Sequence, residues 1–153
     1  MVQIKNEVTI KKPRIDTFSF ISQFENIPLW NYYVRSVKKV SEQTEGTGTI
    51  YHQVRKHDEQ KFRISRYDPP NLVAIETIED SAPQFRRTIS LSQYGNRTQL
   101  HDIFEIETGS PNVLERLLKR RMESAVNENL MKLKELLETG ITILPDGRTM
   151  NIQ

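Results

Sequence analysis

Cysteine is absent from this 153-residue chain. That removes disulfides, thiol nucleophiles and Cys-ligated metals. A dominant charge is missing too: 22 Lys and Arg stand against 20 Asp and Glu, a net +2, with the signs interspersed. A nucleic-acid binder would carry a basic stripe, so nucleic acid is not an expected partner. No apolar run reaches the ~20 residues of a membrane span, so no transmembrane segment is expected. Met1 to Glu7 has no apolar signal core, and the expected location is cytoplasmic. Gly-rich phosphate loops, Ser nucleophile elbows and paired-carboxylate motifs are missing. His52, His57 and His101 do not have metal-ligand spacing. The sequence therefore asks for no metal and no cofactor.

What is present is architecture. The length suits one domain with a real core. Val2 to Ile10 alternates apolar and polar residues, the period of a half-buried strand. Pro13 suits a first helical turn. Ile15, Phe18, Ile21 and Phe24 then recur at helical spacing until Pro28 interrupts them. Trp30, the only Trp, follows directly, at the joint between helix and strand.

Strand-like runs occupy Tyr33 to Val40, Thr49 to Arg55, a segment around Phe62 and Ile64, Leu72 to Ile78, Phe85 to Leu91 and Thr98 to Ile106. In the first of them Val34, Val37 and Val40 are three apart, which predicts a bulge. Turns are expected at Glu45 to Gly48, His57 to Gln60, Asp68 to Asn71, Ser81 to Pro83 and Tyr94 to Asn96. A long helix closes the series. Ser110 is placed as an N-cap, Pro111 in the first turn and Gly140 as the stop. Its stripe comprises Val113, Leu114, Leu117, Leu118, Met122, Ala125, Val126, Leu130, Leu133, Leu136 and Leu137. A meander of short-turned antiparallel strands has one apolar face to cover, and this helix is available to cover it. Domain 1–140 would then be followed by a tail, 141–153, with a turn at Pro145 to Gly147.

The chain resembles the polyketide cyclase/dehydrase family of the START-like superfamily (SRPBCC), the helix-grip fold. The residues that carry the resemblance are Ile10 to Pro13 leading into Phe18 to Ile21, Phe24 to Trp30, Gly46-Thr-Gly48, Tyr67-Asp-Pro-Pro70 and Leu130 to Glu138. It implies an α+β fold in which a curved antiparallel sheet of about seven strands wraps a long C-terminal helix. Two short helices would follow the first strand. It also implies a cavity between sheet and helix, and a homodimer is one assembly known among such domains. Members include ligand carriers, lipid-transfer domains, aromatase/cyclases and co-chaperones.

Alternation and helical periodicity nominate the cavity lining. From the helical joint and the first strands come Phe20, Trp30, Val37, His52 and Val54. The middle strands contribute Phe62, Ile64 and Ile75, with Tyr67 at a pocket mouth. The last hairpin contributes Arg87, Ile89, Asp102 and Phe104, and the helix Leu118, Met122 and Val126. Met131 is placed in the core or beside Met122 on the cavity wall, Tyr51 on the outer surface and His101 outward. Pairing Leu91 with Thr98 sets Ile89 opposite Leu100, Arg87 opposite Asp102 and Phe85 opposite Phe104. An inward Arg87 is then either a polar anchor for a ligand or half of a structural ion pair. His52 is either a general acid or base or a core histidine. Lys119, Arg120 and Arg121 lie among Glu115, Glu123 and Glu128 and read as a solvated face.

Three functions are consistent with this. The first is binding of a hydrophobic or amphipathic small molecule or lipid. The second is a cyclase/dehydrase-type enzyme using His52, Arg87 and Asp102. The third is a protein-interaction domain with a filled core.

Overall fold

A computed structural model describes residues 1–42 and 46–152. Strand β1 (Val2–Ile10) leads into helix α1 (Arg14–Ile21) and a 3-10 helix, Phe24–Leu29. Strands β2 (Val34–Lys39), β3 (Ile50–Arg55), β4 (Glu59–Asp68), β5 (Leu72–Thr77), β6 (Phe85–Tyr94) and β7 (Arg97–Ile106) follow. Helix α2 (Asn112–Thr139) and a hairpin of β8 (Ile141–Ile143) and β9 (Thr149–Asn151) complete the chain. The large sheet has the order β1-β7-β6-β5-β4-β3-β2, antiparallel throughout. It is the expected meander, with β1 returned to the far edge against β7.

Alternation decides the inner face. In β1, Val2, Ile4, Val8 and Ile10 are buried and the residues between them exposed, apart from half-buried Asn6. Helix α2 packs on β1 and on β8 through Leu130, Leu133, Leu136 and Leu137. Gly140 stops α2 at φ 86°, left-handed geometry in which glycine carries no Cβ penalty. The bulge in β2 falls between Val34 and Ser36, so Val34 and Val37 both face the core. Pro28 lies inside the 3-10 helix, and α1 has already ended at Ile21. No helix among the described residues is long and apolar enough to cross a membrane.

Several expectations need correction. The β6–β7 register is two residues away from the one predicted: Leu91 faces Leu100, Ile89 faces Asp102, Arg87 faces Phe104 and Phe85 faces Ile106. A two-residue slip preserves which side chains face inward, because the strand period is two. Apolar patterning alone therefore could not separate the two registers. In β3 the predicted face is inverted. Tyr51 and Gln53 are buried and face inward, whereas His52 and Val54 lie on the outer face. The ladder sets Tyr51 opposite Phe62 with rings stacked at 5.4 Å, and that aromatic pair outweighs the aliphatic alternation of Ile50 and Val54.

Gln60 is a buried residue of β4 rather than part of a turn. Ile15 is 67% exposed, and buried Thr17 takes the inward position on α1. Ser110 does not cap α2; Pro111 occupies that position and no side chain supplies a cap hydrogen bond. Met131 and the first apolar residues of α2 are exposed, Val113 by 84% and Leu117 by 55%. The buried part of α2 lies in its C-terminal half, where β1 and β8 lie beneath it. The turn expected at Glu45 to Gly48 starts on a residue outside the described ones. Gly46 and Gly48 do take positive φ, and the Gly48 N–H donates to Ile64 O at 2.8 Å. Residues 141–152 are the β8–β9 hairpin, in which Leu144 is buried and the Gly147 N–H donates to Leu144 O; Gln153 lies outside the described residues.

Candidate functional site

Between the inner face of the sheet and the middle of α2 lies a partly open cavity of about 330 Å³. Its apolar wall is supplied by Ile27 from the 3-10 helix, Val34, Ile75, Phe85, Phe104 and Ile106 from the sheet, and Met122, Ala125 and Val126 from α2. Phe85 and Phe104 stack with centroids 5.5 Å apart. Polar groups converge on the same space: Asn31, Gln53, Gln60 and Asn129, with Tyr33, Arg55, Arg87 and Arg121. Most of the lining strand residues are inward positions of alternating strands, and α2 presents Met122, Ala125, Val126 and Asn129 at helical spacing.

The amides are differently engaged. Gln53 Nε2 donates to Gln60 Oε1 at 3.4 Å, and Gln60 Nε2 donates to Pro83 O at 3.1 Å. Gln53 Oε1 and the whole amide of buried Asn129 have no hydrogen-bond partner among the described residues, and both residues line the cavity. These donors and acceptors are open to whatever occupies the partly open space.

Arg87 is the most buried arginine on the wall. Its Nε donates to Asp102 Oδ1 at 2.9 Å and its Nη2 to Oδ2, a bidentate pair. Asp102 is 1% exposed and the Arg87 side chain 11%. The guanidinium carbon lies 5.2 Å from the Phe104 ring centre and 6.0 Å from that of Trp30, so aromatic faces lie on a desolvated cation. Asp102 stands behind Arg87 and does not line the cavity. Of the two readings of this pair, the structural ion pair is present, while the rest of the guanidinium remains on the cavity wall.

The other nominated residues divide by location. Ile75, Arg87, Phe104, Met122 and Val126 do line the cavity. Trp30 and Ile89 instead border a narrow crevice of about 20 Å³ shared with Arg87. The indole is 3% exposed and its Nε1 has no partner among the described residues. Phe62, Ile64 and Val37 are packed in the core away from the cavity wall. Phe20 and Leu118 are half-buried outside the wall. Tyr67 packs against Phe18 at 5.7 Å rather than at the mouth. His52 and Val54 are on the outer face, and His52 Nε2 lies 3.4 Å from Glu59 Oε2. His101, outward as expected, pairs with Glu7.

The amide group of the site, Gln53, Gln60 and Asn129, has no signal in apolar patterning, since all three are polar. The usable signal for Gln53 is the aromatic pair Tyr51–Phe62, which fixes its face. Arg121 reads in sequence as part of a solvated run with Lys119 and Arg120, yet it reaches the cavity wall.

A family model described as "Polyketide cyclase / dehydrase and lipid transport" matches residues 1–138. No curated protein sequence matches the chain. Among solved structures, the TTHA0849 protein of Thermus thermophilus is similar with a TM-score of 0.73 at 17% identity, covering 88% of this chain and 96% of that one. A START superfamily protein from Mycobacterium smegmatis gives 0.71 at 14% identity, with 89% and 97% covered. The di-domain ARO/CYC BexL of the BE-7585A biosynthetic pathway gives 0.70 at 12% identity, covering 88% of this chain and 46% of that one. These likenesses establish the helix-grip fold.

Proposed function

The chain belongs to the polyketide cyclase/dehydrase and lipid transport family, and we propose that it binds a hydrophobic or amphipathic small molecule between the sheet and α2. The observation that carries this reading is the 330 Å³ cavity, whose apolar wall is interrupted by a few convergent polar side chains. That combination suits burial of an apolar body with its polar atoms oriented. Gln53 and Asn129 add to that wall polar side-chain atoms with no partner among the described residues, where they can orient a ligand's polar atoms.

The enzymatic alternative has less support. His52 is on the far side of the sheet, and Asp102 is fully engaged by Arg87. Among the described residues the cavity wall contains neither a His nor a carboxylate to act as general base. A filled-core interaction domain is also disfavoured by the open volume. Native mass spectrometry of freshly purified protein, followed by denaturing extraction, tests the reading. A small apolar molecule released in stoichiometric amount supports it. A chain that carries nothing and takes up no member of an amphiphile panel contradicts it.

A further inference from the structure

The cavity wall carries three arginines and no Asp or Glu among the described residues. Their charges are balanced unequally. Arg87 is neutralised by buried Asp102. Arg55 has one weak partner, Asp58 at 3.4 Å, in a pair about a third exposed on each side. Arg121 has none among the described residues. Its neighbours one helical turn away are Leu117, Leu118, Ser124 and Ala125, and nearby Glu123 is engaged by Lys119 at 3.8 Å. An acid three or four residues away would pair with a helical arginine and take up its charge. Here the sequence withholds it at the one basic position of the Lys119–Arg121 run that borders the cavity.

From this asymmetry we propose that the ligand is an anionic amphipath, with a carboxylate or similar monoanionic head held by Arg121 and Arg55 and its apolar body against Phe85, Phe104 and Val126. The inference rests on the cavity-binding reading above and adds the ligand's charge to it. Two cations beside a low-dielectric wall focus a positive potential into the opening. A guanidinium suits a carboxylate because its paired N–H groups match the two oxygens. Gln53 and Asn129 line the same cavity, where the Asn129 amide N–H groups can donate to an oxygen on the body of the molecule and Gln53 Oε1 can accept from a hydroxyl. A neutral ligand would gain nothing from the charge of Arg121.

The test is calorimetric titration at pH 7.5 with decanoate and, separately, with decan-1-ol, on the wild-type chain, Arg121→Gln and the double variant Arg55→Gln/Arg121→Gln. Arg121 is exposed, so its replacement leaves folding intact. Decanoate is expected to bind at least five-fold more tightly than decan-1-ol. That ratio should collapse toward one in the double variant and shrink as salt rises from 50 to 500 mM. Equal affinities for the two ligands in wild type, or a preference that survives both substitutions, overturns the anionic assignment and leaves the cavity reading intact. Absence of binding by either ligand overturns both.

Discussion

Arg87 and Asp102 are not directly opposite one another, since Arg87 faces Phe104 and Asp102 faces Ile89, yet their side chains meet diagonally in a bidentate pair. The diagonal reach lets the carboxylate sit behind the guanidinium, out of the cavity, while the guanidinium stays on its wall. The pair should therefore behave as a buried unit. Asp102→Ala strands a desolvated cation and is expected to cost about 3–5 kcal/mol. Arg87→Met/Asp102→Leu, which removes both charges, should cost less than that single change. Urea denaturation with unchanged m values measures the difference.

The aromatic cluster and the N-terminal half of α2 should differ sharply in sensitivity. Phe62 is fully buried and packs against Phe24, Tyr51 and Phe85. Phe62→Ala is expected to cost about 3–5 kcal/mol. Val113→Ser and Leu117→Ser, on the exposed part of the apolar stripe, should each stay within about 0.5 kcal/mol. Thermal unfolding of the three variants is sufficient to check this.

Filling the cavity should separate binding from stability. Ala125 lies on α2 with its side chain on the cavity wall. Ala125→Trp is expected to lower amphiphile affinity at least ten-fold while changing stability by less than about 1 kcal/mol, because the ring enters existing space instead of displacing packed atoms. A large loss of stability with uptake retained would place the binding elsewhere.

Glu138 fastens the end of α2 to the end of β1. It accepts hydrogen bonds from Lys134 Nζ at 2.7 Å and from the Lys11 N–H at 2.8 Å, while Lys134 Nζ also donates to Thr9 O. Partial burial disfavours its charge, but Lys134 and the Lys11 N–H outweigh that and hold the carboxyl below its ordinary value of 4.5. A carboxylate with a lowered folded-state pKa stabilises the fold above the ordinary value and loses that contribution as pH falls through the folded one. Acid unfolding of the wild-type chain should therefore steepen below pH 4.5, and Glu138→Gln should flatten that part of the profile. At neutral pH the substitution should cost about 1–2 kcal/mol through loss of a charged hydrogen bond.

Element order and the inner face of most strands were readable from alternation because those strands are apolar on one side only. Strand β3 was the exception. Ile50 and Val54 suggested one face, but Tyr51 and its partner Phe62 fix the other, and strand pairing is a tertiary fact. That inversion placed His52 inside and hid Gln53. The exposed start of α2 was equally invisible to periodicity, which reports a stripe but not how much of it the sheet covers. The aliphatic and aromatic part of the cavity wall was therefore partly foreseen, in Ile75, Phe104, Met122 and Val126, whereas its amides depended on register and on how the chain closes around the helix.

The most direct test of a ligand site between sheet and helix is residue-resolved. Decanoate should be titrated into ¹⁵N-labelled protein and followed by two-dimensional amide NMR. The side-chain amides of Gln53, Gln60 and Asn129 and the backbone amides of Phe85, Phe104 and Val126 are predicted to shift together, saturably and with one affinity. Shifts confined to the exposed segment from Val113 to Arg120, or no saturable shift at any cavity residue, would contradict the account.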